Sequence, residues 1–177
     1  GSGPADVREL SLTLAEHMLR LSSADGMSAS EQEAGTARLA TLLDSGPALQ
    51  KFRDLIAAQG GDVSVVDCPQ KLPQAAYRII VTADTSGFVT AIDTLALGKL
   101  AGRLGAGRMS QDAVVDPAVG FVLHRKIGDA IQSGEALLTV HANQTPSDDF
   151  LKEVQQTFII GNQPTTPPPL IHAVRGI

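Results

Sequence analysis

"VDPAVGFVLHRKIGDAIQSGEALLTVHAN", residues 115–143, is the stretch on which the fold turns. It reads as strand, turn, strand, with Gly128-Asp129 at the first turn and Gly134-Glu135 at the second. "VGFVLHR" and "ALLTVHA" are the two strands. The stretch carries no nucleophile, no metal cage and no phosphate cradle, so it is a structural module whose chemistry lies elsewhere.

Period-two patterning continues on both sides of it. "YRIIVTA" and "GFVTAID" are strand-like, and "TFIIG" near residue 160 is a last strand. Between them "LALGKLAGRLG" predicts a short helix with Leu97, Leu100 and Leu104 on one side. Residues 147–156 predict another helix, and "NQPTTPPPLIHAVRGI" is a Pro-rich, extended tail. Upstream the period changes. Val7, Leu10, Leu14, Met18 and Leu21 recur every three or four residues, which predicts a helix over 4–22. Ser28 and Glu31 have capping-box spacing for a second helix over 29–44. Pro47 opens a third, to about residue 58, with Leu49, Phe52, Leu55 and Ile56 expected to face inward. Residues 60–76 lose periodicity and read as a linker. The fold class is α+β, with helices first and then a compact mixed unit.

Bulk properties narrow the function. Of 177 residues, 43% are hydrophobic and 19% charged, and the net charge is −5. There is no basic run, no Trp, and only 3% aromatic residues. Nucleic-acid binding by charge or by base stacking is therefore excluded. No apolar run reaches the roughly 20 residues of a membrane span, and no leader pattern opens the chain, so a cytoplasmic location is expected. A single cysteine, Cys68, leaves no intrachain disulfide to form and fits a reducing compartment.

Candidate sites are few. His17, His124, His141 and His172 do not pair at metal-ligand spacing, so each is expected on the surface or satisfied by a hydrogen bond. Gly105-Ala106-Gly107-Arg108 resembles an anion-holding glycine loop, but it follows a helix where a phosphate loop would open one. A glycine turn that stops the helix accounts for it. Asp148-Asp149 suits the positive end of a helix better than acid/base work. No strand-turn-helix nucleophile elbow is present. The residues alone define no catalytic constellation.

An ordered series of motifs gives a family resemblance. "GPADVRELSLTLAEHML" (3–19), "ALQKFRDLIAAQGGD" (48–62), "KLPQAAYRIIVTADTSGFVTAID" (71–93), "LGAGR" (104–108), "VGFVLHRKIGDAIQSGEALLTVHAN" (119–143) and "PLIH" (169–172) together resemble the C-terminal part of the thymidine and pyrimidine-nucleoside phosphorylases. The resemblance implies reversible phosphorolysis of a pyrimidine nucleoside to free base and pentose 1-phosphate. It implies a cleft between an all-α and an α/β domain, a homodimer, and phosphate as co-substrate. The family's phosphate-binding loop, its base-gripping helix and the potassium-binding segment of some members have no counterpart here. By this resemblance they belong to a missing N-terminal part, and no catalytic residue, cofactor or metal ligand is assigned to this chain. The implied layout is a helical segment over 1–60 completing the α/β domain and a linker over 61–76. A C-terminal domain over 77–161, of the α/β-hammerhead, barrel-sandwich-hybrid kind, and a tail over 162–177 follow. The stretch after "LGAGR", about Gly105–Pro117, is implied to approach the cleft as it closes, with Arg108 and Ser110 the residues to watch. The alternative is a stand-alone barrel-sandwich binding or carrier module. Lys126 would be its modified residue, although the Met-Lys-Met context of such carriers is absent.

Overall fold

A computed structural model describes residues 3–22, 28–108 and 111–175. It divides the chain into two compact units, Gly1–Pro69 with Pro169–Ile177, and Gln70–Pro168.

The first unit is helical. α1 (Ala5–Ser22) and α2 (Ala29–Asp44) pack on one another, and α3 (Pro47–Ala58) packs on α2. α2 begins on the capping box read from the sequence. The Ser28 side chain accepts from the Glu31 N–H, and the Glu31 carboxylate accepts from the Ser28 N–H at 2.8 Å. The Ser28 hydroxyl and N–H hold the Glu31 carboxyl below its ordinary range. Arg8 reaches Asp44 with a two-pronged pair at 2.7 Å on each arm, joining the start of α1 to the end of α2. The turn from α2 into α3 needs Gly46, which sits at φ 106°.

α3 departs from expectation. Leu49, Phe52 and Leu55 were expected inward but are about half exposed, Phe52 at 51%. No residue of α1 or α3 is buried, and the α1 stripe is open as well, with Met18 at 71%. The periodicity marks faces that this three-helix unit has no element to cover. The expected linker also contains structure: a single helical turn, α4 (Ser64–Asp67), then a 3-10 turn at Pro69–Lys71. Asp62 accepts from the Ser64 N–H and hydroxyl at 2.9 and 2.8 Å. A local Asp62 side-chain turn leads into a single helical turn too short to show a period, so the pattern could not announce it.

The second unit holds the core. β1 (Tyr77–Thr82), β3 (Gly120–Leu123) and β5 (Ala136–Ala142) form one antiparallel sheet in the order β1-β5-β3. β2 (Gly87–Ile92), β4 (Ala130–Ile131) and β6 (Phe158–Gly161) form another in the order β4-β2-β6. Two helices, α5 (Thr94–Leu104) and α6 (Asp148–Gln156), complete the α+β unit. The buried set runs through Val81, Val89, Leu97, Leu138, Val140, Phe150, Val154 and Phe158.

The opening stretch is thus strand, turn, two-residue strand, turn, strand. The sequence reading lacked β4, because two residues cannot display a period. β4 pairs with β2, so the chain leaves one sheet at Leu123, touches the other at 130–131 and returns at Ala136. Both turns are pinned. Asp129 accepts from the Lys126 N–H at 2.7 Å, and Glu135 accepts from the Gln132 N–H at 2.9 Å and from Arg125 at 3.3 Å. Those two donors keep the Glu135 carboxyl below its ordinary 4.5.

The sign of the resulting pH dependence follows. A depressed folded-state pKa contributes stability above the unfolded value, and that contribution is lost as pH falls through the folded value. Glu135→Gln is therefore expected to lower Tm at pH 7, with the gap to the unsubstituted chain closing as the pH falls through the depressed Glu135 pKa. Melting curves of both chains at pH 7 and below that pKa check this; a constant gap would refute it.

Candidate functional site

The "LGAGR" motif ends α5. Gly105 takes φ 105° and its N–H closes back on the Ala101 and Gly102 carbonyls. This left-handed stop is a glycine position. The glycine turn is therefore a helix terminator, as the sequence reading preferred. Arg108 is exposed, and Ser110 lies outside the described residues.

From Gly105 the chain passes beside an open cleft of about 520 Å³. Gly105, Gly107, Asp116, Asn143, Ser147 and Phe150 are among its walls. Arg103 on α5 pairs with Glu153 on α6 at 2.5 and 3.3 Å, and its guanidinium lies 5.1 Å from the Phe150 ring centroid. Its charge is occupied in holding the two helices together. At the entrance of α6, Ser147 caps the Phe150 N–H at 3.2 Å, and Asp148 and Asp149 occupy the first turn. Asp148 and Asp149 thus put negative charge at the positive end of α6. The acidic pair has the helix-dipole role expected of it.

The sequence reading missed a polar junction on the cleft wall. Asp116 Oδ2 accepts from Asn143 Nδ2 at 2.6 Å, and Asp116 Oδ1 accepts from the Ala118 N–H at 2.9 Å. The Asp116 N–H donates to the Gly105 carbonyl, and Asn143 Oδ1 accepts from the Ala76 N–H, both at 2.9 Å. An acidic residue and a strand-end Asn, 27 positions apart, carry no local signal of such a pairing.

The histidines stay apart, and no group of three or more metal-ligating side chains occurs among the described residues. His124 Nε2 shares a hydrogen bond with Thr139 Oγ1 at 2.7 Å. His17 corrects the expectation of a surface or satisfied ring, because its Nδ1 is shielded from solvent without a hydrogen-bond partner. Cys68 is half-buried and unpaired. Lys126 is exposed in the turn before β4. No helix among the described residues is long and apolar enough to cross a membrane.

Comparison with known proteins places this geometry. A family model described as "Pyrimidine nucleoside phosphorylase C-terminal domain" matches residues 88–161. The chain matches the C-terminal portion of pyrimidine-nucleoside phosphorylases. It is 41% identical over 174 residues to the pyrimidine-nucleoside phosphorylase of Staphylococcus aureus (strain bovine RF122 / ET3-1), covering 98% of this chain and 39% of that protein. The pyrimidine-nucleoside phosphorylase of Geobacillus stearothermophilus is 42% identical over 172 residues, covering 97% of this chain and 39% of its own length. The chain thus spans about two fifths of the curated relatives that it matches. The matched domain runs from β2 to β6 and includes the cleft, the 105–116 segment and the Asp116–Asn143 junction.

Proposed function

We propose that these 177 residues are the C-terminal portion of a pyrimidine-nucleoside phosphorylase and act as its scaffold, without catalysing anything alone. In the intact protein the reaction is reversible phosphorolysis. A phosphate oxygen bonds to the sugar's anomeric carbon as the carbon–nitrogen bond breaks. The base leaves with that electron pair and takes up a proton. The observation that carries the reading is an identity of 41% along 98% of this chain, set against 39% of the relative's length.

In this reading the groups that hold phosphate and base belong to the remainder of the polypeptide. Residues 1–60 complete the enzyme's α/β domain, which fits the open apolar stripes of α1 and α3. Residues 61–76 lead into a hammerhead, barrel-sandwich-like domain over 77–161, and 162–177 form a surface tail. Two three-stranded sheets exchanged through β4 support that description. The segment from Gly105 to Pro117 serves the closing cleft, with Arg108 and Ser110 at its centre. The intact enzyme is a cytoplasmic homodimer acting on uridine, thymidine or both.

The purified chain, given uridine or thymidine with phosphate, is expected to release no free base above the enzyme-free control. Phosphate-dependent release by the chain alone would overturn the assignment of catalysis to the remainder.

A further inference from the structure

Two chain crossings meet on the wall of the cleft. The 105–116 segment leaves α5 at Gly105 and returns at Asp116, where the Asp116 N–H meets the Gly105 carbonyl at 2.9 Å. The chain thus comes back to the end of α5 at Asp116. The carboxylate of Asp116 then binds two further strands of chain. Oδ1 fixes the Ala118 N–H two residues on, toward β3, and Oδ2 takes Asn143 Nδ2 just after β5. Asn143 passes the link to the Ala76 N–H, the residue before β1. All three strands of one sheet are thereby joined to the base of the segment. Gly105 is required by its φ of 105° and not by space, since a Cβ there would meet Asp116 Cβ at an ordinary 3.6 Å.

We propose that Asp116 is a positioning residue. Shared between Asn143 and the Ala118 N–H, its carboxylate ties residue 116 to the sheet, its backbone N–H ties Gly105 to the same point, and together they set where Arg108 is presented. Charge suits the task. A carboxylate accepts on both oxygens at once, whereas Asn in its place would set one N–H₂ group against an existing donor. The clamp concerns the base of the segment alone. It rests on the proposed function only for what the segment serves, not for whether it is held.

Limited trypsin digestion of the full 177-residue chain separates a clamp from general stabilisation. Asp116→Ala and, separately, Asn143→Ala are expected to speed cleavage after Arg108 by about tenfold, the scale of one or two lost hydrogen bonds. Cleavage after Arg78 and Arg125 should stay unchanged, and Asp116→Asn should fall between. Both single changes break the Asp116–Asn143 link, so the double variant should gain less than the sum of the two. Equal acceleration at all three sites would make Asp116 an ordinary stabilising residue and overturn the proposal, as would no acceleration after Arg108. Asn143→Ala leaves the carboxylate in place and keeps the test valid should Asp116→Ala fail to fold. Absence of phosphorolysis in a reassembled enzyme with Asp116 intact would count against the functional reading and leave the digestion result standing.

Discussion

Leu138→Ala is expected to remove about 2–5 kcal/mol of stability from the second unit, the range for deleting a buried Leu side chain. Leu138 is 0% exposed in the middle strand β5, aligned with Val81 of β1 and Leu123 of β3. Its neighbours are held by pairing on both sides, so the sheet has little freedom to collapse into the space left behind. With a urea slope of about 1–3 kcal/mol per molar, the unfolding midpoint should fall by at least about 0.7 M. Val122→Ala, on the same sheet but 50% exposed, is the control and should change stability by less than about 1 kcal/mol. A Leu138→Ala midpoint close to the parent's would mean that the β1-β5-β3 sheet does not cover the core.

Gly87→Ala is expected to act through backbone contact. A Cβ at Gly87 would lie 2.4 Å from the Gly161 carbonyl oxygen and 2.9 Å from Ile160 Cγ2. The oxygen belongs to the partner strand β6 and cannot rotate away. The strands must part, at a cost of about 1–3 kcal/mol or more. Amide exchange should show it as lost protection where Phe88 faces Gly161 and Val89 faces Ile160. Gly98→Ala provides the opposite sign. Gly98 lies within α5 with nothing within 4 Å of a new Cβ, so Ala there should stabilise by roughly 0.5–1 kcal/mol. If Gly87→Ala left stability unchanged or raised it, the spacing of β2 and β6 would be wrong.

What the sequence disclosed follows from where the information is local. Helix ends were legible because caps are written in adjacent residues: Ser28 with Glu31, Pro47 after Gly46, Gly105 after Leu104. The buried side of α5 was legible because Leu97, Leu100 and Leu104 repeat at helical spacing, and the first two are buried. Exposure of α3 was not legible. An apolar face is written identically whether its partner is present or absent, and Phe52 is left 51% exposed. β4 and α4 were lost for want of length, two and four residues being too few to display a period. Of the stretch after α5, the sequence showed Gly105 as a helix stop but not Asp116, whose partners Ala118 and Asn143 are brought together only by the sheet.

The central claim is that this chain is the scaffold portion of a phosphorolytic enzyme. It is tested most directly by co-expressing the 177 residues with the preceding part of the Geobacillus stearothermophilus pyrimidine-nucleoside phosphorylase and measuring phosphate-dependent uracil release from uridine. The account predicts a complex of the two polypeptides that releases uracil, while each alone releases none. A stable complex without phosphorolysis, or turnover by the 177 residues alone, would contradict it.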